Sequence, residues 1–273
     1  MGHKFLAILV LVLAAVAFSP LENRIRIERE RLKYGGAHVA LPLREKLGQG
    51  TAVALLAGFR GVTADFLWIQ NAFYFERGEW VPMYLNLELV TTLQPLSTPF
   101  WDQGAWHIGW NIAYSARKDP KNANEAQGIL REREWHQKAR DFLLRGIQNI
   151  PNDWDLYFCL AWLYDSKFVS DCAGDAECRR AAYCEAAEYF HRAAEFPDAP
   201  PHVGRECARA MENCGGVREA YEYWKFLWPK AFKTPHQIPS IIEREIKRLE
   251  VELAIPPAER VPRKPDGSLR DPS

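Results

Sequence analysis

With 273 residues, 48% of them hydrophobic, the chain is long enough for one or two ordinary domains with ample core. Lysine plus arginine and aspartate plus glutamate balance at 35 each, which excludes an argument from global charge for nucleic acid or acidic substrates, and no basic run is long enough to track a phosphate backbone. What stands out is ten tryptophans, and six cysteines confined to Cys159–Cys214.

Met1–Lys4 precedes an uncharged apolar run from Phe5 to Phe18, closed by Ser19, Pro20 and Leu21. As helix the run would cover roughly 21–25 Å, short of the ~30 Å hydrocarbon core. Residues 1–21 therefore read equally as a cleaved signal peptide, with Ala15-Val16-Ala17 as the small-x-small site, or as a retained membrane anchor. Arg24, Arg26, Arg29, Arg31 and Lys33 follow the run, a bias that alone would keep the rest cytoplasmic. The cleavage-like site and the even cysteine count point the other way. The expectation is a chain membrane-anchored facing the periplasm, or exported. Residues 22–49 read as a charged juxtamembrane helix and linker, broken at Gly35-Gly36 and Pro42.

Gly48-Gln49-Gly50 opens the next helix. A phosphate cradle would need a strand before it and a third glycine where Val53 stands. Thr51–Phe75 carries only Arg60 and Asp65 as charges and resembles a second span, yet each charge would cost about 2.5–3.5 kcal/mol at a span centre. A helix buried on most sides within the protein meets no such cost. Arg60 and Asp65 then become a candidate buried ion pair.

Four triplets share a spacing of four and then three residues, which places each on one helical stripe: Met83/Leu87/Val90, Ala139/Leu143/Gly146, Ala186/Phe190/Ala193 and Ala220/Trp224/Leu227. Their starts lie 56, 47 and 34 residues apart, and Pro95, Pro151 and Pro197 trail the first three. Ala186/Phe190/Ala193, with Trp68 at the head of the first unit, resembles the tetratricopeptide repeat family, whose period is about 34 residues. The resemblance covers roughly Thr51 to Pro229. The wording from Gly58-Phe59-Arg60-Gly61 to Trp68 is also similar to the opening of bacterial exported or membrane-anchored repeat proteins of uncharacterised activity.

The resemblance implies an all-α fold: an antiparallel helical-hairpin, tetratricopeptide-like right-handed solenoid with an N-terminal signal or anchor helix. Residues 50–235 would form about four hairpins, two with insertions, at Arg117–Leu130 and around Asp171–Cys178. Residues 236–255 would be a capping helix, and 256–273, rich in proline and charge, a disordered tail. The implied function is a membrane-tethered or exported scaffold that binds another protein or peptide in a bacterial envelope assembly. A membrane contact through a retained N-terminal segment and a homo-oligomer are further expectations.

No His-Glu-x-x-His, Gly-x-Ser-x-Gly or Cys-x-x-Cys occurs, so no enzyme, catalytic residue, cofactor or metal is expected. The repeat family often holds peptide ends with Lys, Asn or Arg in its groove, and of the corresponding positions only Asn111 fits. An aromatic groove drawn from Trp106, Trp110, Asn111, Tyr114, Trp154 and Tyr157 is the better candidate, although such rings also serve as core. Cys159, Cys172, Cys178, Cys184, Cys207 and Cys214 are candidate disulfide cysteines. Cys172–Cys178 and Cys207–Cys214 are the easiest local pairings, with Cys159–Cys184 a further one. His191 and His202 add donors for a metal, but the spacings are not those of common zinc loops. The second functional reading is thus a thiol/disulfide or metal-binding protein that uses the Cys159–Cys214 cluster.

Overall fold

Side chains that satisfy the free amides of a first helical turn set several of the helix starts. Asn124 accepts from the Gln127 amide at 2.9 Å, and Asp175 from those of Glu177 and Cys178 at 3.0 and 3.1 Å. Asp153 does the same for Asp155 at 3.0 Å. In the computed structural model, which describes residues 59–232 and 238–270, these caps punctuate an all-helical chain. The helices are α1 (Arg60–Arg77), α2 (Trp80–Leu93), α3 (Thr98–Trp106, continuing through π-helical His107–Ile112 into Ala113–Lys118) and α4 (Glu125–Asn149). After them come α5 (Trp154–Leu163, continuing through π-helical Tyr164–Phe168 into Val169–Asp171), α6 (Ala176–Ala194), α7 (Pro201–Asn213), α8 (Val217–Leu227) and α9 (Pro239–Glu252). Among the described residues the only β feature is an isolated bridge between Arg263 and Leu269. The chain divides into two compact units, Met1–Phe100 and Trp101–Ser273.

In the first unit α1 and α2 form a hairpin, turned by Gly78 at a φ of +67°, a value that suits glycine. Ala64, Val90 and Leu93 make its core, with Leu67, Trp68 and Phe100 packed on them. The other face of α1 carries a second apolar stripe, Val62, Phe66, Ile69 and Phe73, each more than half exposed. One neighbouring helix can cover only one of two stripes, so the expected burial of this helix on most sides does not hold. The expected buried ion pair fails for the same reason. Asp65 lies on the exposed side, and Arg60 donates from Nη2 to the Leu93 carbonyl at 3.0 Å.

In the second unit each helix packs chiefly on its neighbours in the chain, from α3 on α4 through to α8 on α9. All four triplets are buried, so the spacing marks core. Small residues set how closely the helices approach. A Cβ at Gly109 of α3 would sit 3.1 Å from Leu163 of α5 and 3.2 Å from Ala139 of α4. One at Gly146 would meet Trp101 at 3.0 Å. At the C-terminal end Ile242, Ile246 and Leu249 of α9 close over Tyr221, Trp224 and Trp228.

Two expectations about architecture are corrected here. Among the described residues the chain is all-α, but it is not the expected tetratricopeptide-like right-handed solenoid. Its helices of 25, 19, 13 and 11 residues share no common unit, and two rods carry π-helical turns that a regular stack of equal hairpins lacks. Among the described residues no helix is long and apolar enough to cross a membrane, so nothing described supports the anchored, periplasm-facing reading. The signal or anchor segment at 1–21 and the linker at 22–49 lie outside the described residues. The tail is also different from its composition. Up to residue 270 it folds back, burying Ile255 and Leu269 in the α8–α9 core, and the Trp228 indole donates to the Arg270 carbonyl at 3.1 Å.

Candidate functional site

On α3, Asp102, Trp106 and Trp110 stand four residues apart and so share a stripe. On α5, Asp155, Cys159 and Trp162 do the same at four and three, with Phe158 beside them. Both stripes begin with an aspartate and end with a tryptophan. In the second unit Asp102, Trp106 and Trp110 meet Phe158, Cys159 and Trp162 at a cavity of about 250 Å³, with Ala105 and, from α4, Leu143 completing its lining and Asp155 outside it. Two ring pairs line it: Trp106 and Trp110, centroids 6.5 Å apart and planes 13° from parallel, and Phe158 and Trp162, 6.4 Å and 14°. Trp106 and Trp162 remain 49% and 44% exposed, so the cavity opens to solvent between indoles.

The N-terminal end of each stripe is acidic. The Cys159 thiol donates to Asp102 Oδ1 at 2.9 Å, joining residues 57 apart in sequence. Burial, with the negative charges of Asp102 and Asp153 nearby, pushes the Asp155 carboxyl up to about 6. Burial and the Asp102 charge hold the Cys159 thiol far above its usual range, so it stays a protonated donor and not a nucleophile. Among the described residues no salt bridge reaches Asp102 or Asp155. Away from the acidic end, the Lys167 ammonium lies 5.0 Å from the Trp110 ring centroid, and burial lowers its pKa.

Both helices turn π-helical at the site, Trp110 within the first such stretch and Trp162 just before the second. A π turn inserts one extra residue and re-aims the side chains that follow, and such turns are frequent at functional sites.

Of the six residues expected to form an aromatic groove, the structure brings Trp106 and Trp110 into the cavity wall. The others are elsewhere. Asn111 bonds its amide to His107 Nδ1 at 2.9 Å, and Tyr114 is 60% exposed outside the cavity. Trp154 packs edge-on against Phe158, while the Tyr157 hydroxyl donates to the Pro151 carbonyl at 3.1 Å and its ring lies beside Phe196. Asp102, Phe158 and Trp162 were not among the expected residues, and Cys159 was expected only as a disulfide cysteine. The matching Asp-to-Trp stripes on two helices are the signal that finds them.

The cysteines divide by position. Cys172 and Cys178 form one disulfide, across the turn between α5 and α6. Cys184 of α6 pairs with Cys214 at the end of α7, and not with Cys159. Cys207, expected to pair with Cys214, is a fully buried free thiol whose pKa burial pushes up to about 12, and Cys159 is the other free thiol. Among the described residues no group of three or more His, Cys, Asp or Glu is placed to hold a metal ion, which removes the metal half of the second functional reading.

The chain matches no protein-family model and no curated protein. The expected membrane-tethered or exported tetratricopeptide-like scaffold of a bacterial envelope assembly is therefore corrected. Neither a repeat-family match nor a membrane-crossing helix among the described residues supports it. What the fold and the site define is an all-α protein with two disulfides and an aromatic pocket.

Proposed function

We propose that this is a disulfide-stapled helical protein in which the Cys159–Cys214 segment holds a ligand-binding pocket in shape. The observation that carries the reading is the division of labour among the cysteines. Cys172–Cys178 ties the end of α5 to the start of α6, and Cys184–Cys214 ties α6 to the end of α7, while unpaired Cys159 lines the pocket on α5. Helix α6 is the element against which α5 packs, so the two staples fix the frame behind the pocket wall. The free thiols serve the pocket as packing and donor groups and not as nucleophiles, because burial holds both in their protonated forms. An apolar concavity with a few converging polar groups of perturbed pKa is the usual form of a small-ligand site.

Thiol counting and tryptophan quenching test this. Protein isolated without reductant and then denatured should titrate two thiols, and six after reduction. Reduction of the native protein should raise acrylamide quenching of tryptophan fluorescence as the pocket indoles lose their frame. Six free thiols in the unreduced protein, or quenching indifferent to reduction, would overturn the reading.

A further inference from the structure

We infer that the pocket recognises a small organic ammonium ion with apolar substituents, its positive head seated among the aromatic faces beside the Asp102 carboxylate. This deepens the proposed function and rests on the pocket being a binding site. The argument is one of charge and surface together. Four aromatic rings line the cavity, and an indole or phenyl face attracts a cation through the ring quadrupole. The Trp110 ring already has an ammonium, that of Lys167, 5.0 Å from its centroid.

Other occupants fit less well. A neutral apolar molecule would cover the Asp102 carboxylate with nothing to answer its charge, since its recorded partner is the Cys159 thiol. An anion meets the Asp102 carboxylate. A hard metal cation needs several oxygen ligands in a shell, whereas most of this wall is hydrocarbon. A weakly hydrated ammonium with methyl or methylene groups satisfies the rings and the Asp102 carboxylate at once. At about 250 Å³ the cavity lies just under the roughly 300–1,000 Å³ of drug-sized sites, so the occupant is small.

The probes are choline and benzyltrimethylammonium, compared by calorimetry on the full chain with 3,3-dimethyl-1-butanol, which has the shape of choline with carbon in place of the charged nitrogen. The ammonium probes should bind about tenfold or more tightly than the neutral alcohol, a difference within the range of desolvated cation–π contacts. Asp102→Asn should weaken choline about tenfold and leave the alcohol unchanged, with Trp162→Leu weakening both. Equal binding of choline and the alcohol would overturn the ammonium assignment while leaving the pocket a ligand site. Binding of none of the three would overturn both. The choline-against-alcohol comparison uses unaltered protein, so a variant that fails to fold does not blunt it.

Discussion

Glu250 and the pair formed by Asp102 in the pocket wall and Asp155 near it are carboxylates of the same unit in opposite situations. Glu250 is fully buried and both of its oxygens are partnered: Oε2 by Arg263 at 2.6 Å, and Oε1 by the Val261 amide at 2.8 Å and the Tyr221 hydroxyl at 3.4 Å. Asp102 has a neutral thiol, and Asp155 has the charges of Asp102 and Asp153 beside it. Where a carboxylate serves the fold, its partners come from the fold and hold distant chain, here the C-terminal segment against α9. Where the fold supplies no cation, holding charge together costs stability, and a structure keeps such a cost chiefly where something else is gained. The comparison separates a structural carboxylate from carboxylates arranged for an external partner.

The largest effect should come from breaking the satisfied side. Glu250→Ala leaves Arg263 and the Val261 amide without their acceptor, and should cost about 3–5 kcal/mol. Denaturant unfolding measures it, and limited proteolysis should show new cuts between residues 255 and 270. Asp102→Asn, by contrast, should leave stability unchanged or raise it slightly. If the two variants lost equal stability, the distinction between the two kinds of carboxylate would fall.

Next in size are the staples behind the pocket. Loop-closure entropy scales with the length enclosed, so the 30-residue Cys184–Cys214 link should be worth roughly 3–4 kcal/mol and the 6-residue Cys172–Cys178 link roughly 2 kcal/mol. Paired serine replacements, followed by urea unfolding, should give that order. A larger loss from the shorter link would mean that it supports the α5–α6 turn by more than closing a loop.

How much of this could be read from the chain depends on how local each cause is. Helix starts at Asn124 and Asp175 and the buried triplets follow from spacing and capping, which act within a turn or two. The Cys184–Cys214 pairing needs the register of α6 against α7, which no short stretch encodes. Cys207 was more legible than the expectation allowed. Val203, Cys207 and Ala210 repeat the four-plus-three spacing of the core triplets, and all three are buried, so this cysteine faces inward. Two of the pocket's four rings were visible because Trp106 and Trp110 are conspicuous. The other two rings hid on α5, where Phe158 and Trp162 read as part of one more apolar run and Cys159 as a disulfide cysteine. The C-terminal segment misled through its composition. One buried leucine, Leu269, and one buried carboxylate, Glu250, order a stretch otherwise rich in proline and charge.

The smallest expected effect bears most directly on the open carboxylates, and its sign is fixed by Asp155. In the native protein this group keeps its proton up to about pH 6, whereas in the unfolded chain it ionises near the ordinary 3.8. Between those values the native state binds more protons than the unfolded one, so stability should fall as pH rises through the window and level off above it. Burial is the chief cause, with the charges of Asp102 on α3 and Asp153 at the start of α5 adding to it and Cys159 still protonated throughout. Asp155→Asn should flatten the curve and leave the protein modestly more stable at pH 7. The gain should be a fraction of the about 1.4 kcal/mol that each pKa unit carries, because the side chain is partly exposed and water screens it. A bound ammonium should act in the same direction on the unaltered protein, by drawing the Asp155 pKa down. Saturating choline should therefore flatten the slope, and choline affinity should rise as pH is raised from 5 to 7. Unfolding free energies measured across that range, with and without choline, read both effects. A profile that Asp155→Asn leaves unchanged would place the native titration elsewhere and remove this support for a cation site.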